Sequence, residues 1–264
     1  MNDFQTVTRR KSRKKIRNKS FSSSLQHSYA EENFNTDDLI RLVLAAAVDF
    51  RKSPYKQVIF NGLLKSLNVL HSKAIAEVIC YGLGSFSKNR SSKYQLATLL
   101  TIKNQYNCNV LVYDPIFTEN EIEVLKTLEL NVITINEEGK RTITNNRPTL
   151  VFMPHCPSQL LNNFLYCNWG PQLKNCIIVC NRWSAIVDQN PLGFVEDTTN
   201  YILRLYPYVV DIELKNEFEF IETFIETSIH IFPGLDETPL SFWGNREEPG
   251  YPKESNQFIT SSSA

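Results

Sequence analysis

A histidine and a cysteine stand side by side between two prolines in Met153-Pro154-His155-Cys156-Pro157. An imidazole titrates near neutral pH and suits general-base work, while a thiol can act as nucleophile or metal ligand. Adjacent residues on extended backbone point to opposite sides, so the two are not expected to act on one atom. Zinc would need further ligands, and no second His/Cys pair stands at zinc-site spacing, so no metal site is expected. His155 is left as the candidate catalytic residue.

The second constellation is Gly82-Leu83-Gly84-Ser85-Phe86-Ser87. Two glycines let the backbone turn sharply and leave room for a close ligand, and a following helix offers amides to an anion. The dinucleotide fingerprint wants a third glycine where Ser87 stands, and a methyltransferase-type loop wants an acid where Cys80 stands. Gly82, Gly84 and Ser85 are thus candidates for holding a nucleotide or S-adenosylmethionine, against the plainer reading of a tight strand-to-helix turn. Asp114 suits a ribose hydroxyl, but it follows Gly84 by 30 residues where about 20 is usual. Its alternative is a turn before Pro115, with Thr118 capping the next helix. Lys140 and Arg141 face an anion or form an exposed charged loop; Arg182 and Trp183 bracket a planar ligand or cover a sheet end.

These groups need a scaffold, and the pattern around them supplies one. Short β-rich runs lie at 77–81, 109–113, 131–135, 149–153 and 176–180, with a further strand at 208–213. Helical segments at 93–104, 119–130, 158–167 and 198–205 separate them. Strand and helix alternating at this pitch predict βαβ units, with strands buried on both faces. The fold class is α/β, a Rossmann-like three-layer sandwich with a mostly parallel sheet of five to six strands. Two helices precede it: one opens at Thr36-Asp37-Asp38, and one has Ser53 as cap and Pro54 at its first position. Between Asn216 and His230 acids and aromatics alternate with apolar residues, and strand and helix are not separable. The expected organisation is a disordered basic tail over 1–35, an α/β domain over 36–245 with its core at 74–214, and a loose tail over 246–264. Each candidate except Lys140 and Arg141 follows a strand directly, where open parallel sheets bind ligands.

The formal net charge is zero, yet eight of the eleven positions from Arg9 to Lys19 are basic. Beyond the first thirty residues the chain carries 20 basic and 27 acidic residues. That acidic body argues against nucleic-acid binding except through the basic tail, which reads as a solvated segment, a nuclear localisation signal or a weak nucleic-acid contact. No apolar run approaches the ~18 residues of a membrane span, and the basic N-terminus lacks the apolar stretch of a secretory signal. The six cysteines form no C-x-x-C and read as reduced, buried thiols. Cytoplasm or nucleus, or both, is the expected location.

Taken in order, Tyr81 to Phe86, Tyr113 to Thr118, Asn136 to Lys140, Pro148 to Cys156, Asn162 to Trp169 and Cys180 to Trp183 resemble the SRR-like domain of the sensitivity-to-red-light-reduced family. The resemblance runs from about Ile75 to Trp183, and Phe-Met-Pro-His-Cys is its most specific part. The chain departs at strand five, where a Gly-Asn-Ser-Phe-like ending is replaced by Cys180-Asn181-Arg182-Trp183; only Asn181 is kept. The resemblance implies a regulator: circadian output and light signalling in plants, clock-gene expression and heme biosynthesis in animals, microtubule function for a fungal relative. It supplies no reaction or cofactor; the incomplete glycine signatures and the absence of a convergent acid/base set favour a regulator that binds a protein partner. The alternative is a methyltransferase-like or nucleotide-binding enzyme or sensor, with Gly82, Gly84, Asp114 and His155 around one small-molecule ligand.

Overall fold

Alternating apolar runs along the strands decide the layering. In β1 (Glu77–Tyr81), Val78 and Cys80 face one core while Ile79 and Tyr81 face the other. β4 (Thr149–Met153) divides the same way, with Leu150 and Phe152 on the first side and Val151 and Met153 on the second. Such a sheet needs helices on both faces. One layer holds α1 (Thr36–Lys52), α2 (Pro54–Val69), α3 (Arg90–Tyr106) and α4 (Glu119–Thr127); the other holds α5 (Ser158–Cys167), α6 (Trp183–Val187) and α7 (Leu192–Leu205). The chain is seen as a computed structural model that describes residues 35–143 and 147–251. The basic cluster and nearly all of the expected 1–35 tail lie outside the described residues.

The sheet has seven strands: β1, β4, β2 (Asn109–Tyr113), β3 (Asn131–Val132), β5 (Cys176–Asn181), β6 (Val210–Glu213) and β7 (Thr227–Ile231). Their order is β3-β2-β1-β4-β5-β7-β6. The first five are parallel, and β7 runs antiparallel between β5 and β6. The three-layer α/β class agrees with expectation; the strand count exceeds five to six. The extra strand is β7, fully buried although Thr227, Ser228 and His230 lie on it, so its composition masks it. β3 is shorter than expected: Ile133 still donates to the Val112 carbonyl, but Thr134 and Ile135 are exposed.

Caps set the helix ends. Asn35, rather than Thr36, caps α1 by accepting from the Asp38 amide at 2.8 Å. Ser53 caps α2 as expected, with Pro54 behind it. α3 starts three residues earlier than its periodicity shows because Asn89 caps it. The segment 246–251, expected to be loose, is bound to the domain. Tyr201 Oη donates to the Glu247 carbonyl at 2.6 Å, Arg246 donates to the Cys167 carbonyl at 2.8 Å, and Tyr251 Oη donates to Asn163 Oδ1 at 2.8 Å. Residues 252–264 lie outside the described residues.

Candidate functional site at the carboxyl ends of the strands

The order of strands reverses between β1 and β4, the point at which such sheets open a ligand crevice. Gly82 follows β1 and Cys156 follows β4, and here they meet. Cys156 Sγ donates to the Tyr81 carbonyl at 3.1 Å. A Cβ at Gly82 would collide with that sulfur, and one at Gly84 would collide with Ser92 Oγ. Both glycines have positive φ, +68° and +78°, so the turn requires glycine twice over. Burial pushes the Cys156 thiol well above its ordinary pKa, with Asp114 and Cys180 adding to the shift. A neutral, enclosed thiol is a packing group rather than a nucleophile.

Asp114 stands against the same turn. Its Oδ2 accepts from the Gly84 amide at 2.7 Å and its Oδ1 from the Ile116 amide at 3.0 Å. Burial raises its pKa, the two amides pull it back, and Glu121 raises it. Glu121 is fully buried, and nothing in the sequence reading singled it out. Its Oε1 accepts from Ser85 Oγ at 2.8 Å and the Ser87 amide at 2.9 Å. Its Oε2 accepts from the Thr118 amide at 3.0 Å, while Thr118 Oγ1 accepts from the Glu121 amide at 3.2 Å. This is a capping box, and its signal, Thr-x-x-Glu, was present at 118–121. One carboxylate therefore starts α4 and fastens the glycine turn.

Gly82, Gly84, Ser85 and Asp114 come together, while His155 projects elsewhere. His155 is exposed with φ +62°, a strained conformation for a residue with a side chain. Its amide donates to Asn181 Oδ1 at 2.8 Å, and Asn181 Nδ2 donates to the Cys156 carbonyl at 3.4 Å. Asn181, the residue kept at strand five, thus shapes the turn that sends His155 outward and Cys156 inward. The His155 ring stands against the Ile225 carbonyl. Partial desolvation lowers its pKa, and that carbonyl and Glu226 oppose the shift.

The remaining candidates are paired within the domain. Lys140 bonds Glu138 at 2.9 Å and Glu248 at 2.6 Å. Arg141 grips Glu137 with two bonds, at 2.9 and 2.6 Å, and Tyr81 Oη donates to the same carboxylate at 2.6 Å. Buried Asn163 and Asn168 hold this loop through the carbonyls of Glu138 and Arg141, each at 2.8 Å. Trp183 covers the sheet end, fully buried and stacked on His230 at 5.2 Å, and Arg182 pairs with Glu213. His230 is itself fully buried, and burial pushes its pKa down to about 3. Among the described residues no group of histidine, cysteine and carboxylate side chains could hold a metal ion, and no helix is long and apolar enough to cross a membrane.

The architecture defines a Rossmann-like α/β domain in which Cys156 sits over Gly82 at the switch point and Asp114 holds the glycine turn. Residues 60–231 match the SRR1 domain, and the chain belongs to that family. An SRR1-like protein of Mus musculus is 33% identical over 140 residues, 51% of this chain and 55% of that one. An SRR1-like protein of Drosophila melanogaster is 26% identical over 88% of this chain and 83% of that one. The protein SENSITIVITY TO RED LIGHT REDUCED 1 of Arabidopsis thaliana is 34% identical over 65% of each chain. The chain thus spans little more than half the length of the mouse relative. The plantazolicin methyltransferase BpumL, solved with a desmethyl-plantazolicin analogue and SAH, aligns with 74% of this chain and 97% of that one. Its identity is 13% and its TM-score 0.36, too low to bear on function.

Proposed function

We propose that this chain is a regulatory protein that acts by binding a partner protein at the surface over the carboxyl ends of its sheet. Its roles would be those the family resemblance implies, circadian regulation and heme biosynthesis, exercised in the cytoplasm or nucleus. The name of the Arabidopsis relative, which concerns sensitivity to red light, supports a signalling role. The observation that carries the reading is the commitment of the ligand-type groups to one another. Both Asp114 oxygens hold backbone amides, and the Cys156 sulfur fills the space over Gly82.

The second reading, a methyltransferase-like or nucleotide-binding enzyme or sensor, draws on the glycine turn at a topological switch point. Fold analogy alone does not warrant a reaction. A melting-temperature screen separates the two. A ligand at a hundred times its Kd adds about 2.7 kcal/mol of stability. The full chain with saturating S-adenosylmethionine, nicotinamide cofactors, nucleotides or heme is expected to melt where it does alone. A rise of several degrees that Asp114→Ala abolishes would replace the partner-binding reading with the ligand one. Imaging of the fluorescently tagged chain checks its location; confinement to any compartment other than cytoplasm and nucleus would overturn that part.

A further inference from the structure

We infer that the loop between β6 and β7, together with His155, docks a basic amphipathic segment of a partner protein. This inference rests on the partner-binding reading and gives that partner its chemistry. Because β7 is antiparallel to both neighbours, β6 runs parallel to β5, and the loop emerges at the carboxyl ends of the strands. Its apolar residues divide. Phe218 and Phe224 are buried against Tyr55, with ring centroids 5.8 and 5.0 Å away. Gln95 of α3 donates to the Thr223 carbonyl at 3.0 Å, so the loop has a firm base. Ile221 and Ile225 remain 57% and 52% exposed.

The charged groups around these isoleucines are mostly acidic, with Arg90 and the His155 ring as their basic neighbours. Glu219, Glu222 and Glu226 are all exposed. Glu222 is paired with Arg90 at 3.1 Å, while among the described residues Glu219 and Glu226 have no ion pair. His155 and Glu226 both sit at positive φ, +62° and +53°. Both are tied to the end of β5: Asn181 accepts from the His155 amide, and the Arg182 amide donates to the Glu226 carbonyl at 2.8 Å. Side chains held in such conformations mark surfaces where position matters. The isoleucines gain from apolar cover, and unpaired carboxylates beside them require cations once water is excluded. A purely apolar partner strands Glu226, an acidic partner or an anionic membrane is repelled, and a hydrophilic basic chain leaves the isoleucines wet. An amphipathic segment with interleaved lysine or arginine satisfies both demands.

The probe is a labelled leucine–lysine amphipathic helix of about 18 residues, titrated against the full chain by fluorescence anisotropy. Two controls are the same helix with glutamate for lysine and a scrambled leucine–lysine peptide without an apolar face. The leucine–lysine helix is expected to bind at least about tenfold more tightly than either. Ile225→Asp and Glu226→Lys, both at exposed positions, should weaken it about tenfold with unchanged melting temperature. Glu196→Lys, on the distant α7, should leave it unchanged. Equal binding of the three peptides, or indifference to both loop variants, would overturn the docking proposal, as would an effect of Glu196→Lys as large as theirs. A small-molecule melting shift would sink the partner-binding reading; a flat screen with no peptide preference would sink this inference alone.

Discussion

Gly82 illustrates how one residue can be necessary for two unrelated reasons. Its φ of +68° excludes an ordinary side chain, and the Cys156 sulfur occupies the place a Cβ would take. Gly82→Ala is expected to cost about 1–3 kcal/mol, from backbone strain and overlap together. In a Cys156→Ala background the overlap is gone and only the strain remains, so the cost of Gly82→Ala should fall. Urea unfolding of the four proteins measures this as a coupling energy; additive costs would remove the contact from the account. The turn itself was legible, because a glycine's conformational demand is local. The contact was not, since Cys156 lies 74 residues further on and only the parallel pairing of β1 with β4 brings it there. Asp114 was legible as a turn residue from Pro115 and Thr118 but not as the acceptor for Gly84, since the parallel pairing of β1 with β2 brings those two together.

Elements here are joined by buried polar side chains more than by loop length. Glu121 belongs to α4 by sequence, yet two of its bonds reach back to the turn before α3. Replacing it with glutamine keeps the size and sets an amide NH2 against donors. Either orientation of the amide leaves part of the set from Ser85, Ser87 and Thr118 unpaired against a fully buried side chain, the donors themselves being part-buried. Each such loss costs about 1–3 kcal/mol, so Glu121→Gln should lower stability by about 2–4 kcal/mol. Faster amide exchange should appear at Ser87 and in the first turn of α4 together, and protection retained at Ser87 would uncouple the two. α2 was legible because its cap and proline signals are adjacent in sequence. β3 and β7 were not: β3 is an edge strand whose apolar run continues past its pairing, and β7 carries polar residues inside the sheet. Patterning reports exposure, and a buried polar strand inverts that report.

For the whole molecule, the position of His230 sets a pH limit on the fold. It lies on β7, Asp211 on β6 and Cys180 on β5, so its surroundings exist only once three strands and Trp183 have assembled. The Trp183 amide approaches His230 Nε2 at 3.4 Å, which suits a neutral ring with its proton on Nδ1. Asp211 Oδ2, 3.8 Å from the same nitrogen, favours the charged ring, and Arg182 disfavours it. Burial, with Arg182 acting in the same direction, outweighs Asp211 and the hydrogen bond to the Ile178 backbone, which also favours the charged ring, and drives the pKa down to about 3. An unfolded histidine takes a proton near pH 6.5, so below that the unfolded state binds one proton that the folded state refuses. The contribution is fully present above the unfolded value. It falls away by up to about 1.4 kcal/mol per pH unit as the solution is acidified toward the folded pKa. Asp114 works in the opposite sense: its raised pKa lets the folded state bind a proton first, so acidification through that pKa favours folding. Asp211, also raised by burial, adds to Asp114's gain, and His155, lowered by desolvation, adds to His230's loss, so each histidine deepens the acid slope and each raised aspartate offsets part of it. His230→Gln should reduce that slope while Asp114→Asn should steepen it. Urea unfolding at half-unit pH steps measures both, and an unchanged slope in the His230 variant would move the acid limit to another group.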